Sequence, residues 1–414
     1  MSGFEPAAPV AGTRRPFDPG NWVDQFRLSF LWFSGNALWE ALLTVLLPLL
    51  VLQAVGEARK VVALSLIAMV GTLLASVVHP LTGWLSDATR SRFGRRRPYV
   101  LGGGALAVAA TAWLGFTRGY TELIVTVLAL QFAYNVAIAA YQAYIPEVVP
   151  ETERGKASGF LGLMSSLGAL VGAIGAALLV RPASDRWMLF FLAVLLAAGV
   201  AVTVFGLPEG HMPPPRPEVR RGARNYGNLV WVIVTRALVM LGFYTLLTYL
   251  AYYLHDVLRL PNYVQATSYV VALTILSASA VTLWCGRWSD RVGRRGIVSV
   301  AGGAMGVGSL AFLAVRGYWP VCAVGALFGA GYGAYISVDW AMATDVLPNA
   351  AGVARDMGVW GLAITVPQML APALAGGLFL LLPQQALAYR AVFVLAGLYA
   401  LVGSALVWRI RGVR

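Results

Sequence analysis

Charge is what this chain has least of. Only 12% of its 414 residues are Asp, Glu, Lys or Arg, against about 25% in a soluble domain. Histidine and cysteine are also scarce, at three and two residues. Cys285 and Cys322 lie in separate apolar runs, which leaves no disulfide framework and no metal cluster to expect. His, Cys and carboxylates nowhere recur at ligand spacing, and there is no glycine-rich phosphate loop. Neither a metal, an organic cofactor nor ATP hydrolysis is therefore expected, and the chain does not read as an enzyme. The first 27 residues carry Arg14, Arg15 and Arg27 without an apolar core, so they are not expected to be a cleavable signal peptide.

What the chain has is apolar length. Hydrophobic residues make up 59% of it, and runs near 20 residues follow one another from 28–52 to 388–408. Twelve such runs read as membrane-spanning helices. The fold expected is all-α: a multi-pass membrane protein of two six-helix bundles, embedded in a lipid bilayer. Residues 208–228 interrupt the pattern with Pro208, Pro213, Pro214, Pro215 and Pro217 among arginines, as a semi-rigid linker would. The expected divisions are a cytoplasmic segment 1–27, a bundle 28–207, the linker 208–228, a second bundle 229–410 and a tail 411–414. The net charge of +13 does not indicate nucleic acid. With the N-terminus placed in the cytoplasm and the loops alternating, most of the 31 Lys and Arg fall on the inner side. Both termini are thus expected inside a plasma (bacterial inner) membrane.

A phrase repeats half a chain apart. Gly83-Trp-Leu-Ser-Asp87 continues through Arg90, Arg92, Gly94, Arg95, Arg96 and Arg97 to Pro98, and Gly286-Arg-Trp-Ser-Asp290 continues through Arg291, Gly293, Arg294 and Arg295. Glu147-Val-Val-Pro150 and Asp345-Val-Leu-Pro348 echo one another at nearly the same offset. Two homologous halves follow, the plan of a transporter rocking about a central site. Each motif Asp ends a span, where arginines of its own loop and a neighbouring helix N-terminus can hold it. Such polar contacts suit a gate made in one state and broken in another. Gly83, Asp87, Arg90, Gly94, Arg95, Arg96, Gly286, Asp290, Arg291, Gly293 and Arg294 are the candidate gating residues.

The first motif, with its closing Arg95-Arg-Arg-Pro-Tyr99, resembles the loop signature of the major facilitator superfamily. Its longer insert resembles the glycoside–pentoside–hexuronide:cation symporter branch and the related sucrose/proton symporters. Asn36-Ala-Leu-Trp-Glu40-Ala-Leu-Leu-Thr44 with Pro48 is similar to their first helix, and Val338-Asp339, Ala354-Arg-Asp-Met-Gly358 and Pro367-Gln368 are similar to the tenth and eleventh. The resemblance implies a sugar or glycoside substrate and a cavity lined by spans one, four, seven and ten. It departs at the second span, which lacks the acidic pair of melibiose-type sodium symporters.

Ionisable groups in hydrocarbon are costly, so each marks a candidate site. Glu40 sits near the middle of the first span. Asp339 lies in the tenth and Arg236 in the seventh, and they can pair. These three are the candidate proton-coupling residues. His79, beside Pro80, can serve packing or protons. Asn36, Trp39, Glu40, Gln131, Asn135, Gln142, Tyr244, Tyr335 and Trp340 are the candidate substrate-binding residues, because sugar hydroxyls exchange hydrogen bonds with amides and donate to carboxylates, and sugar C–H faces stack on aromatic rings. Tyr249, Tyr252, Tyr253 and Tyr332 share those spans. Trp22, Trp187, Trp319 and Trp408, at span ends, read as interfacial anchors. The chain is therefore expected to be a monomeric secondary transporter that moves a sugar-like solute with a proton. An exporter of a hydrophobic compound and a non-transporting receptor or scaffold are the alternatives.

Overall fold

The computed structural model describes residues 18, 21–91, 93–142, 148–149, 154–180, 186–207, 226–346, 353–382 and 384–410. The expected linker lies almost wholly outside the described residues, as do 1–17 and the tail 411–414. Twelve long helices fill what is described: α1 Trp22–Val55, α2 Lys60–Ala88, α3 Arg97–Leu114, α4 Tyr120–Gln142, α5 Arg154–Leu179, α6 Arg186–Gly206, α7 Gly227–Asp256, α8 Tyr263–Val292, α9 Arg294–Ala311, α10 Tyr318–Asp345, α11 Val353–Leu381 and α12 Gln385–Leu406. Ten contain stretches long and apolar enough to cross a membrane. The other two, α3 and α9, have 18 residues each and begin on the arginines of the repeated motif. Among the described residues there is no strand.

The packing repeats between halves. In the first half α1 lies against α5 and α6, α3 against α4 and α6, and α2 against α4; in the second, α7 lies against α11 and α12, α9 against α10 and α12, and α8 against α10. The halves meet along two matched seams, α2 with α11 and α5 with α8. Small residues make the close crossings, as membrane helices require. A Cβ added at Gly168 or Gly172 of α5 would strike the α1 backbone at Phe33 or Ala37, and one at Gly329 or Gly333 of α10 would strike α8 at Thr274 or Ala278. Gly103 and Gly104 play the same part on α3, whereas Gly102 faces open space. Outward faces carry exposed Leu, Val, Phe and Trp, the surface that lipid replaces water against. Trp22, Trp187, Trp319 and Trp408 are all exposed at helix ends.

The segments leading into α3 and α9 share a positive-φ glycine, although residues 89–96 separate α2 from α3 and Gly293 alone separates α8 from α9. Gly94 has φ +100° and Gly293 φ +99°, a conformation that glycine alone adopts without steric cost. This backbone match explains why both motifs place Gly before their last arginines.

One helix departs from regularity. Residues Leu42–Leu46 of α1 form a π turn, immediately after Glu40. Pro48 follows it, and a proline has no N–H to return to the carbonyl one turn earlier. The ladder widens there, and the Thr44 hydroxyl donates to the Glu40 carbonyl. Single π turns of this kind concentrate at functional sites.

Candidate functional site

Chain direction places the starts of α1, α3 and α7 and the end of α12 on one face, here the terminal face. The starts of α2 and α8 and the end of α7 lie on the opposite, far face. Between the faces, polar residues of α1, α7 and α10 lie within electrostatic reach of one another, while those of α4 bond to His79 of α2.

The strongest pair is Arg236 with Asp339. The guanidinium donates to the Asp339 carboxylate, with 2% and 1% of the two residues exposed. The Tyr335 hydroxyl donates to the other carboxylate oxygen at 3.4 Å, and the Trp360 ring covers the guanidinium at 3.4 Å from its centroid. Removed from water, these two charges persist because each neutralises the other and the tyrosine and indole surround them. Tyr335 is thus fully buried and committed to Asp339, rather than free for a ligand.

Glu40 is arranged differently. It is half-buried, and among the described residues no hydrogen bond or ion pair reaches its carboxylate. Its charge acts across the interface on the Tyr244 and Tyr332 hydroxyls, as does that of Arg236. Those two tyrosines are also half-buried, and their rings flank Phe243 at 5.3 and 4.2 Å. Among the described residues, a carboxylate of one half and two phenols of the other are therefore left unbonded near a buried ion pair.

Other predicted residues bond within the protein. Asn36 donates to the Trp32 carbonyl at 2.7 Å and accepts from Ser165 of α5 at 2.9 Å. Trp39 meets Tyr134 edge-on at 5.4 Å. Gln131 and Asn135 bond to each other, and Asn135 and Gln142 bond to His79. Tyr249, Tyr252 and Tyr253 are buried and donate to the carbonyls of Pro372, Pro48 and Phe312, so they hold helices together. The Trp340 side chain lies outside the described residues.

The motif loops are only partly visible. Arg96 is buried and donates to Ser86, and the Ser86 hydroxyl donates to the Gly83 carbonyl at 2.9 Å. Arg90 is exposed, and Arg95 and Arg294 are half-buried. The side chains of Asp87, Asp290 and Arg291, and the surroundings of Gly286, lie outside the described residues.

The far face holds a cluster that sequence reasoning missed. Lys60 is the first residue of α2 and is 0% exposed. Its ammonium bonds Glu57 at 2.6 Å, donates to Asp256 of α7 and lies 4.8 Å from the centre of the Tyr252 ring. Tyr389 of α12 donates to the second Asp256 oxygen, and His255 lies beside both. Ser65 with Tyr249, Tyr252 with the Pro48 carbonyl, and Gln265 with the Val180 carbonyl add further bonds between the halves. A buried cation clamped by carboxylates from both halves closes this face. A lysine opening an apolar run and a His-Asp pair closing another were its only traces in the sequence.

Known proteins carry the same plan. A bacterial homolog of the human lysosomal transporter Spinster, in an inward-facing and occupied conformation, superposes with TM-score 0.71 at 14% identity, covering 93% of this chain and 96% of that one. The nucleoside transporter NupG superposes with TM-score 0.71 at 14% identity, covering 94% and 99%. In sequence, the fujikurins efflux protein of Gibberella fujikuroi is 23% identical over 342 residues, 79% of this chain and 69% of that protein. The general alpha-glucoside permease of Schizosaccharomyces pombe is 26% identical over 124 residues, a stretch spanning 26% of this chain and only 22% of the permease. The profile of one family matches residues 30–354 and again 264–414, so that both halves answer to it, and the chain belongs to the Major Facilitator Superfamily.

Proposed function

We propose that this transporter moves a small hydroxylated solute, a sugar or glycoside, together with a proton by alternating access. The observation that carries this reading is the Glu40 carboxylate, unbonded among the described residues and within electrostatic reach of the Tyr244 and Tyr332 hydroxyls of the other half. Such a site offers one strong acceptor, two phenols and aromatic faces, the complement of a sugar's hydroxyls and C–H surface. Glu40 carries the proton: neutralising it removes a charge from the interface and lets the halves close around the ligand. Arg236 and Asp339 hold the site's other wall. The resemblance to the sucrose/proton and glycoside symporters and the short match to an alpha-glucoside permease support the substrate class.

The excess of arginines on the terminal face supports a cytoplasmic location for it and for both termini, in a plasma membrane. The closed far face then faces outward, so the state described is inward-facing, in keeping with the Spinster homolog's conformation. The protein acts as a monomer, since each chain holds both halves of the site. No cofactor beyond the coupling proton is required.

A second reading, export of a hydrophobic compound against protons, is favoured by the longer match to an efflux protein. Proteoliposomes separate the two. Uptake of labelled sugar driven by an imposed proton gradient supports the first. Gradient-driven movement of a hydrophobic dye, with no sugar uptake, supports the second.

A further inference from the structure

We propose that His79 of α2 is a proton-binding site whose neutral form carries its hydrogen on Nδ1, with the Gln142 amide turning as the proton arrives. The argument starts at Asn135. Its amide nitrogen donates to the Gln131 carbonyl at 2.8 Å and to the Gln131 side-chain oxygen at 3.3 Å. Turning that amide over would set oxygen against oxygen, so its Oδ1 is fixed toward His79. Oδ1 stands 3.3 Å from His79 Nδ1, and an amide oxygen only accepts. Nδ1 must therefore hold a hydrogen in every protonation state.

Nε2 is then the nitrogen left to take a second hydrogen. It lies 3.2 Å from the Gln142 side-chain oxygen, the partner that a protonated Nε2–H requires. In neutral His79, Nε2 is an acceptor, and the Gln142 amide meets it by rotating its NH2 group inward. Gln142 is exposed, at the last position of α4, and free to make that turn. Asn135 is nearly buried and is not. The site thus has one fixed jaw and one movable jaw.

The surroundings leave the proton to these amides. Pro80, next along α2, has no N–H to bond the Ser76 carbonyl, so the helix is locally loosened at the histidine. From α4, Tyr134 and Tyr141 turn to Trp39 and Trp32 of α1, and Glu122 lies at the helix's other end, accepting from the Arg118 N–H at 3.0 Å. On α2 itself, Lys60 is clamped at the far face. The Asp87 side chain, and those of Arg355 and Asp356 on α11, lie outside the described residues. No charged side chain among the described residues bonds His79. Because α2 forms one of the two seams between the halves, a charge gained there acts on a helix that must move during transport. This transport role rests on the proposed proton coupling; the proton site itself does not.

Imidazole 15N NMR of histidine-labelled protein in nanodiscs tests the site. The chain has three histidines, assigned by His79→Gln, His211→Gln and His255→Gln. His79 is expected as the Nδ1–H tautomer at high pH and as the doubly protonated ring at low pH. Gln142→Leu is expected to leave the tautomer intact, whereas Asn135→Leu is expected to release Nδ1 and let the Nε2–H form appear. An Nε2–H neutral ring in the wild type overturns the proposal. In proteoliposomes, His79→Gln is expected to flatten the pH profile of uptake while Glu40→Gln removes accumulation altogether. An unchanged profile in His79→Gln overturns its transport role even if coupling stands. If wild-type uptake ignores the proton gradient, the function proposed above fails, and the tautomer measurement still decides the site.

Discussion

At the residue scale, the buried Arg236–Asp339 pair makes the clearest energetic prediction. Removing one member strands the other's charge, at a cost of about 3–5 kcal/mol. Arg236→Gln and Asp339→Asn should each give poorly folded protein, seen as a lowered Tm in detergent. The double variant should recover much of that loss without recovering transport, and a double loss equal to the sum of the singles would mean that the charges do not depend on each other. Gly94→Ala and Gly293→Ala test the shared positive-φ glycine. Each forces a Cβ into a positive-φ conformation, costing about 1–2 kcal/mol, and both should lower stability because the two glycines hold nearly the same φ.

At the scale of the element, the far-face cluster is expected to bias which way the helices lean. Lys60→Met or Asp256→Asn removes the ammonium–carboxylate bond between α2 and α7. Either should shift the population toward a state open on that face. A cysteine placed at Ser65, in a Cys285→Ser and Cys322→Ser background, should then label faster with an impermeant thiol reagent than it does with the lock intact. Equal labelling would show that the cluster carries no conformational bias. At the other face, Asp87→Asn should slow turnover while leaving ligand affinity in detergent nearly unchanged, because the motif lies at a helix end.

Much of this architecture was legible in the sequence, and the limits follow from physics. Apolar runs show spans because hydrocarbon thickness fixes their length, and the repeated Gly-x-x-Ser-Asp phrase shows two halves because duplication preserves backbone features such as the positive φ of Gly94 and Gly293. Glu40, Arg236 and Asp339 stood out because charge in an apolar run is rare. Lys60 and Asp256, 196 positions apart, did not. Each sits at the end of a span, where a charge ordinarily means only water nearby, and one chain gives no sign of which ends meet. Tyr249, Tyr252 and Tyr253 erred the other way: a tyrosine's ring offers itself equally to a sugar and to a neighbouring carbonyl, and only the packing of α7 against its neighbours decides.

At the scale of the whole molecule, two matched bundles meet along α2–α11 and α5–α8, bonded together on the far face and holding between them a carboxylate that is unbonded among the described residues. On the proposed function, rocking about that carboxylate would turn proton binding into solute movement. The most direct test is accumulation of a labelled sugar or glycoside in proteoliposomes with an inward proton gradient, comparing the wild type with Glu40→Gln. Wild-type protein should concentrate the solute and lose that ability when the gradient is collapsed, while Glu40→Gln should exchange solute at most and never accumulate it. Accumulation by Glu40→Gln equal to that of the wild type would contradict the account, because the proton would then be carried elsewhere.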